Sequence, residues 1–176
     1  MKNLYIVGGP MGVGKTTVCQ LLKRELQKAV FLDGDWCWDM DPFQVTEETK
    51  GMVMENIAFL LNRFLRCSAY ENVIFCWVLH RQEIVDELLG KLDVENGAVS
   101  VRRFSLICGE AELERRLRRD IDSGLRQGDV IERSLSRLPF YDKVDAAKID
   151  VTDLSPEQTA ALICGMAVEE HARVVI

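Results

Sequence analysis

A glycine-rich loop near the start of the chain constrains the fold more than any other stretch. Residues 9–16 read Gly-Pro-Met-Gly-Val-Gly-Lys-Thr, which matches the pattern G-x-x-x-x-G-K-[ST]. An apolar run at residues 3–7, typical of a buried strand, precedes the loop, and apolar residues at helical spacing follow it from Val18 to Leu26. This pattern between a strand and a helix predicts a phosphate-binding loop.

The residue types of the loop suit a chain of phosphates. Glycines let backbone N–H groups turn inward towards an anion, and the start of the following helix adds free N–H donors. Lys15 supplies a full positive charge for the β- and γ-phosphates, and the Thr16 hydroxyl can ligate Mg²⁺. The sequence therefore predicts binding of a nucleoside triphosphate. The predicted nucleotide-binding residues of this segment are Gly9, Met11, Gly12, Val13, Gly14, Lys15, Thr16 and Thr17.

Strand-like and helix-like stretches alternate along the rest of the chain. Apolar runs predict five strands, at residues 3–7, 29–32, 73–79, 99–107 and 147–151. Helices are predicted after the loop, after Thr46 as N-cap, at 82–92, 110–122 and 130–141, and after Ser155 as N-cap, with a loop at 36–43. This alternation predicts a three-layer α/β/α fold with a parallel sheet, and the 176 residues suffice for a single domain, 1–176.

Composition excludes several classes of function. The net charge of −6 gives no electrostatic footprint for nucleic acid, and no apolar run approaches the ~20 residues of a membrane span. The chain begins without the pattern of a signal peptide. Its six cysteines form no C-x-x-C pair and are expected to be free thiols in a reducing compartment, with no structural zinc. We expect a cytoplasmic protein without nucleic-acid or membrane partners.

Two carboxylates follow the second predicted strand. Asp33 and Asp35 flank Gly34 near the edge where ligands of open α/β sheets bind. Side chains two residues apart on a strand end point the same way, so one could hold Mg²⁺ through water while the other accepts a hydroxyl proton. The alternative is a solvated Asp-Gly turn. Trp36 and Trp38 are either core aromatics or exposed rings that stack on an acceptor.

Arginines cluster in the second half of the chain. Arg116 and Arg119 are three residues apart on one predicted helix and can share a face. They either lie on a solvated charged surface or close over a triphosphate with the Gly-bearing loop that follows. Arg133 and Arg137 could reach an anionic acceptor or the nucleotide, or form surface ion pairs. His80, after the third strand, is expected to be a polar strand-end residue.

These motifs resemble those of the small P-loop kinases that act on metabolites and nucleotides. The resemblance rests on the phosphate loop, on Leu32-Asp33-Gly34-Asp35, on the stretch with Arg116 and Arg119, and on Arg137, Tyr141 and the run 148–151 before the last helix. The group includes adenylate, shikimate, gluconate and adenylylsulfate kinases and chloramphenicol phosphotransferase.

The resemblance implies a five-stranded sheet in the order 2-3-1-4-5 and a small mobile lid at about residues 119–130. It implies that Thr16 and Asp33 hold Mg²⁺ and that Asp35 faces the acceptor hydroxyl. One departure is at the end of the third strand, where residues 78–80 offer no Walker-B aspartate, so that Asp33 has to serve instead.

By the same resemblance, Arg116 lies near adenine, Arg119 is the lid arginine on the phosphates, and Asp153 is in the loop that borders the base. The segment from Trp36 to Trp38 matches no acceptor signature of the named kinases, which leaves the acceptor open.

Together these features predict an ATP- and Mg²⁺-dependent P-loop kinase acting on a hydroxyl or phosphate of a small molecule, as a monomer or homodimer. The alternatives are a nucleoside or nucleotide kinase and, in a different class, a regulatory ATP-binding module. The predicted catalytic residues are Lys15, Asp35 and Arg119. The predicted acceptor-binding residues are Asp35, Trp36, Trp38 and Arg137.

Overall fold

The computed structural model describes residues 2–94, 97–126 and 129–174, with the side chains of the last helix described as far as residue 167. In chain order the elements are β1 (Lys2–Gly8), α1 (Lys15–Glu25), β2 (Ala29–Asp33), a first 3-10 helix (Gly34–Trp38), α2 (Glu47–Arg66), β3 (Asn72–Cys76), α3 (Gln82–Gly90), β4 (Val99–Ile107), α4 (Glu110–Asp122), α5 (Val130–Leu135), a second 3-10 helix (Leu138–Lys143), β5 (Ala147–Asp150) and α6 (Pro156–Val174).

The five strands form one parallel sheet in the order β2-β3-β1-β4-β5, which confirms the predicted topology. Because β1 is central, the glycine-rich loop that follows it lies at the middle of the sheet's carboxyl edge. Val7 and Asp33 are both in register with Cys76, so the ends of β1, β2 and β3 are level. This register places the loop and the first carboxylate side by side.

Side chains of the sheet alternate between two apolar layers. On β1, Leu4 and Ile6 join the core beneath α2 and α3, whereas Tyr5 and Val7 join the core shared with α1, α4 and α6. Fully buried strands of a parallel sheet need cover on both faces, and these two cores provide it. The predicted three-layer α/β/α architecture is confirmed.

Two helix starts match their predicted caps. The Thr46 hydroxyl accepts a hydrogen bond from the backbone N–H of Thr49 at 3.1 Å, and the Ser155 hydroxyl accepts one from that of Gln158 at 3.2 Å.

All six cysteines are free thiols, as predicted. In the part of the chain that the structure describes, no helix is both long and apolar enough to cross a membrane.

The predictions for three segments are wrong in detail. Strand β3 ends at Cys76 rather than at residue 79, because the chain turns at Leu79, whose φ is +42°. The stretch predicted as one helix from 130 to 141 breaks after Leu135, since the ring of Pro139 would clash with the carbonyl group four residues earlier. The start of the stretch predicted as a loop at 36–43 belongs instead to the first 3-10 helix.

The predicted lid at residues 119–130 contains Gln127 and Gly128, which lie outside the described residues. Before them, α4 ends in a turn at Gly124, whose φ is +75°, and the backbone N–H of Leu125 donates to the carbonyl of Asp120 at 2.9 Å. The mobility of this segment stays a prediction.

Candidate active site

The glycine-rich loop packs tightly against α4. Gly12 has a φ of +82°, and a Cβ atom on it would lie 2.6 Å from Cδ2 of Leu117. Only glycine satisfies both the backbone conformation and this contact. The loop is therefore held in a curled form by the helix that carries the clustered arginines.

Lys15 is buried beneath the loop. Its Nζ atom donates hydrogen bonds to the carbonyl groups of Gly9 and Pro10, both at 2.9 Å. Burial lowers the pKa of Lys15, while the nearby groups that favour its charged form include Asp35 and Asp33. The ammonium group is thus positioned at the loop, where a bound phosphate chain would meet it.

Thr16 and Asp33 join the loop to the end of β2. The Thr16 hydroxyl donates to Oδ2 of Asp33 at 2.6 Å, and Oδ1 of Asp33 accepts from the backbone N–H of Asp35 at 3.1 Å. A hydroxyl and a carboxylate at this distance fit Mg²⁺, which prefers oxygen ligands and is commonly held by one or two protein groups together with phosphate. These are the residues that would hold the metal.

Asp35 is the second residue of the first 3-10 helix and lines a large cavity. Although its side chain is accessible through that cavity, the surrounding walls remove it from water, and this desolvation raises its pKa. The charge of Asp33 raises the pKa further. The charges of Lys15 and Arg126 and a hydrogen bond from the Trp77 side chain lower it. A carboxylate with a raised pKa is a suitable proton acceptor.

The cavity in front of Asp35 has a volume of about 720 Å³, and we call it the aromatic cavity. Its aromatic wall consists of Trp36, Trp38, Phe43 and Trp77, and Met11 of the glycine-rich loop also lines it. The exposed fraction is 55% for Trp36 and 63% for Phe43, so these rings are not core aromatics. Large rings left exposed along one concave surface indicate a binding site.

Charged and polar groups complete the aromatic cavity. Arg133, Arg137, Lys50 and His80 line it together with Asp35. Burial, then the charges of Arg137 and Arg81, lower the pKa of His80 to about 4, so its imidazole is neutral at neutral pH. All four predicted acceptor-binding residues, Asp35, Trp36, Trp38 and Arg137, therefore face one cavity.

Trp77 reaches its place in the wall because Gly34 has no side chain. A Cβ atom on Gly34 would lie 2.6 Å from Cγ of the Trp77 ring. Gly34→Ala is expected to lower the free energy of unfolding by about 1–3 kcal/mol, since overpacking displaces the ring or the backbone. Urea unfolding measures this change.

The matched control is Gly51→Ala in the second turn of α2, where an added Cβ meets nothing within 4 Å. This variant is expected to raise the free energy of unfolding by about 0.5–1 kcal/mol through helix propensity. Equal effects of the two substitutions would show that Gly34 does not fix the position of Trp77.

A second cavity of about 250 Å³, the α4 cavity, lies on the other side of the loop. Residues 12–14, Thr17, Arg116, Arg119 and Leu154 contribute to its wall. The predicted base-bordering residue Asp153 is exposed and is not in this wall; its neighbour Leu154 takes that place.

Arg116 ties three parts of the α4 cavity together. Its guanidinium donates to the carbonyl of Val13 at 3.1 Å, to that of Val151 at 2.9 Å and to Oε1 of Glu112 at 2.6 Å. Hydrogen bonds from Arg115 and then Arg116 lower the pKa of Glu112 to about 2. A planar group fixed in this way gives the cavity a rigid wall.

Arg126, in the predicted lid, is a charged residue that the sequence pattern did not single out, and it lines neither of the two cavities. Its charge acts on both Lys15 and Asp35, and its Nε atom forms an ion pair with Oδ2 of Asp120 at 3.1 Å. Arg119, the predicted lid arginine, lines the α4 cavity, and its role on the phosphates stays a prediction. The sequence signal for Arg126 was its position two residues after Gly124, in the predicted lid.

The chain is similar to one protein family in sequence and to several solved structures in fold. The sequence model of a family described as an AAA domain matches residues 6–134. None of the curated proteins compared with the chain by sequence matches it.

Solved structures of similar fold include a tunicamycin resistance protein from Deinococcus radiodurans, with a TM-score of 0.65 and 19% identity over 95% of this chain and 96% of that one. A gluconokinase from Sinorhizobium meliloti has a TM-score of 0.63 and 15% identity, over 96% of this chain and 97% of that one. Shikimate kinase from Acinetobacter baumannii, in complex with shikimate, has a TM-score of 0.59 and 22% identity, over 97% of this chain and 94% of that one. At these identities the likeness shows a shared fold, that of the P-loop NTPases, and the predicted resemblance is confirmed at that level.

Proposed function

Since this chain belongs to the AAA-domain family, whose sequence model covers the glycine-rich loop, we propose that it is an ATP- and Mg²⁺-dependent phosphotransferase. It moves the γ-phosphoryl group of ATP to a hydroxyl group of a small molecule. We further propose that it works in the cytoplasm as a monomer or homodimer.

The observation that carries this proposal is the position of the loop between two cavities. Met11 lines the aromatic cavity, whereas residues 12–14 line the α4 cavity. A transferase needs two binding sites that meet at the reacting phosphate, and a nucleotide-operated regulatory module needs only one. The aromatic cavity, with Asp35 in its wall, is the additional site that a transferase needs, and it therefore favours transfer over regulation.

The α4 cavity suits the nucleotide. The base would lie against Arg116 and Leu154, and the phosphates would follow the loop to Lys15. Bound at Thr16 and Asp33, Mg²⁺ would neutralise charge on the β- and γ-phosphates. Lys15 and Arg126 supply positive charge on the protein side, where charge moves as the phosphoryl group is transferred.

The acceptor hydroxyl would bind at Asp35. Its oxygen attacks the γ-phosphorus, the bond from that phosphorus to the β,γ-bridging oxygen breaks, and ADP leaves. The hydroxyl proton passes to the Asp35 carboxylate and then to solvent. The walls of the aromatic cavity keep bulk water from competing with the acceptor.

A hydroxyl acceptor fits this site better than a phosphate acceptor. Asp35 is a carboxylate with a second carboxylate, Asp33, two residues away, and both would repel an acceptor phosphate. The observation that favours a nucleotide kinase is the pair Arg133 and Arg137, which could bind a phosphate elsewhere in the same cavity. Nucleoside monophosphates therefore belong among the acceptors tested.

The first test measures ADP release from ATP and Mg²⁺ with sugar acids, nucleosides, nucleoside monophosphates and hydroxylated aromatic compounds. We expect ADP release that depends on one acceptor class and is absent in Lys15→Ala. Nucleotide binding, measured separately by calorimetry, with equal ADP release in the presence and absence of every acceptor would contradict the proposal and favour the regulatory module.

The pH profile of kcat/KM is expected to be bell-shaped. Activity requires ionised Asp35, whose pKa is raised, so activity falls as the pH drops through that pKa. It also requires charged Lys15, whose pKa is lowered by burial, so activity falls again as the pH rises through it. In Asp35→Asn, the residual activity should no longer fall as the pH is lowered. If it still fell in the same way, Asp35 would be excluded as the group that causes the loss of activity at low pH.

A further inference from the structure

Two arginines of the aromatic cavity, Arg133 and Arg137, lack a close ion pair among the described residues, although the carboxylates of Asp35 and Asp39 line the same cavity. Arg133 lies on α5, and its nearest ion pair is a 3.7 Å contact to the exposed carboxylate of Asp129. Its Nε atom is buried and has no hydrogen-bond partner. Among the described residues, Arg137 forms no ion pair, although it faces the same cavity.

These two guanidinium groups affect each other. Both line the same cavity; burial lowers the pKa of Arg137, and the charge of Arg133 lowers it further. Beside them, Nδ1 of His80 is also buried without a partner. Lys50, the other cation of the cavity, pairs with Glu47 at 2.8 Å. Positive charges held close together in a partly buried cavity are costly, and an anionic ligand bound to the guanidinium groups would offset that cost.

The aromatic rings of the cavity are held in place before any ligand binds. Trp36 packs edge-on against Phe31 with a centroid distance of 5.3 Å, and Trp38 packs against Phe43 at 5.7 Å. Fixed rings lose little entropy when a flat ligand stacks on them. This wall fits an apolar or aromatic ring system.

The acidic and basic groups enter the cavity from different elements. Asp35 lies in the first 3-10 helix, after β2, whereas Arg133 lies on α5 and Arg137 lies at the start of the second 3-10 helix. A ligand that reaches both regions must present its hydroxyl at one end and its negative charge at the other. The volume of about 720 Å³ is in the range of about 300–1,000 Å³ found for sites that hold drug-sized ligands.

We propose that the acceptor is an amphipathic anion: a rigid apolar or aromatic ring system that carries a carboxylate or phosphate at one end and the reactive hydroxyl at the other. The rings lie along Trp36 and Trp38, the anionic group binds Arg133, Arg137 and His80, and the hydroxyl meets Asp35. This assignment rests on the proposed function for the hydroxyl end only. Binding of the anionic and aromatic parts can be tested without phosphoryl transfer.

The test uses two fluorescent probes with the same ring system: 8-anilinonaphthalene-1-sulfonate, an aromatic anion, and N-phenyl-1-naphthylamine, its uncharged counterpart. Each is titrated into the protein with ADP and Mg²⁺ at saturation, so that the α4 cavity is filled. We expect the anion to bind at least about tenfold more tightly than the neutral probe, because charged hydrogen bonds to arginine contribute that much.

The double variant Arg133→Met/Arg137→Met should remove this preference and leave binding of the neutral probe within about twofold. Trp36→Ala should weaken both probes. Arg118→Met, which replaces an exposed arginine of α4 paired with Glu114, is the matched control and should change neither. Unchanged ADP binding by the double variant shows that it is folded, and Arg137→Lys, which keeps the charge, should retain part of the preference.

Equal affinity for the two probes, or equal loss of both in the double variant, would overturn the assignment. A transfer arm compares hydroxylated aromatic carboxylic acids with their amides, and adds hydroxylated aromatic phosphate monoesters to separate the two kinds of anion. ADP release that is as fast with amides or small neutral polyols as with the acids would overturn the assignment and leave the kinase proposal standing. Selective binding of the anionic probe with no transfer to any acceptor would count against the kinase proposal alone.

Discussion

Asp35→Asn is expected to lower kcat by about 10²–10⁴-fold while the affinity for ATP stays close to that of the unchanged protein. Asparagine has nearly the same shape but accepts no proton. The hydrogen bonds that hold Lys15 at the loop go to the carbonyl groups of Gly9 and Pro10 and do not involve the side chain of residue 35. The measurement is steady-state kinetics with the acceptor found in the ADP-release screen, together with calorimetry for ATP.

The control for this variant is Asp142→Asn, which removes an exposed carboxylate outside both cavities and should leave kcat unchanged. If Asp35→Asn weakened ATP binding as much as it slowed turnover, Asp35 would belong to the nucleotide site. Turnover at the original rate would show that the acceptor hydroxyl needs no base, which would contradict the mechanism.

Arg126→Ala is expected to lower kcat by about 10³-fold, the lower end of the range for an arginine that stabilises a transferring phosphoryl group. Its charge already acts on Lys15 and Asp35, the two groups that flank the site of transfer. Arg119→Ala should instead raise the KM for ATP and change kcat little, because Arg119 lines the α4 cavity. The two variants differ in which kinetic parameter they change.

The opposite result, with kcat lost in Arg119→Ala and kept in Arg126→Ala, would return the role of lid arginine to the residue indicated by sequence resemblance. Arg118→Ala serves as a surface control on the same helix, since Arg118 is exposed and pairs with Glu114. Arg126→Lys should keep part of the rate, because the charge remains but the planar pair of donors is lost.

The sheet could be predicted because its determinants are local in the sequence. Each strand is a short apolar run, each helix has a cap or an apolar face, and the alternation of the two leaves few topologies. The loop motif and the Thr46 and Ser155 caps act over a few residues, so their signals survive without tertiary contacts. The sheet order came from the resemblance, which the observed topology confirms.

The site was predictable only where chemistry and position coincide in the sequence. Lys15, Thr16, Asp33 and Asp35 follow directly from the loop and from the end of β2. Trp77 was not identified because its role depends on the contact with Gly34, 43 residues earlier in the chain, and adjacent strands create that contact.

Arg126 was missed for a similar reason. The arginine-rich run from residue 115 to 119 dominates the sequence pattern, but α4 directs Arg116 and Arg119 to the α4 cavity, and only the turn at Gly124 sends a later arginine towards Lys15. A turn's direction depends on packing of the helix before it, here through Leu117 against Gly12, and sequence spacing does not contain that information.

The central claim is that the γ-phosphoryl group passes from one cavity directly to an acceptor in the other. Mass spectrometry of the acceptor, combined with an assay for inorganic phosphate, measures this most directly once an acceptor has been found. We expect one phosphate ester on a hydroxyl of the acceptor for each ADP formed, with inorganic phosphate close to the level of the Lys15→Ala protein. One inorganic phosphate for each ADP, with the acceptor unmodified, would contradict it and identify the protein as a nucleotide hydrolase.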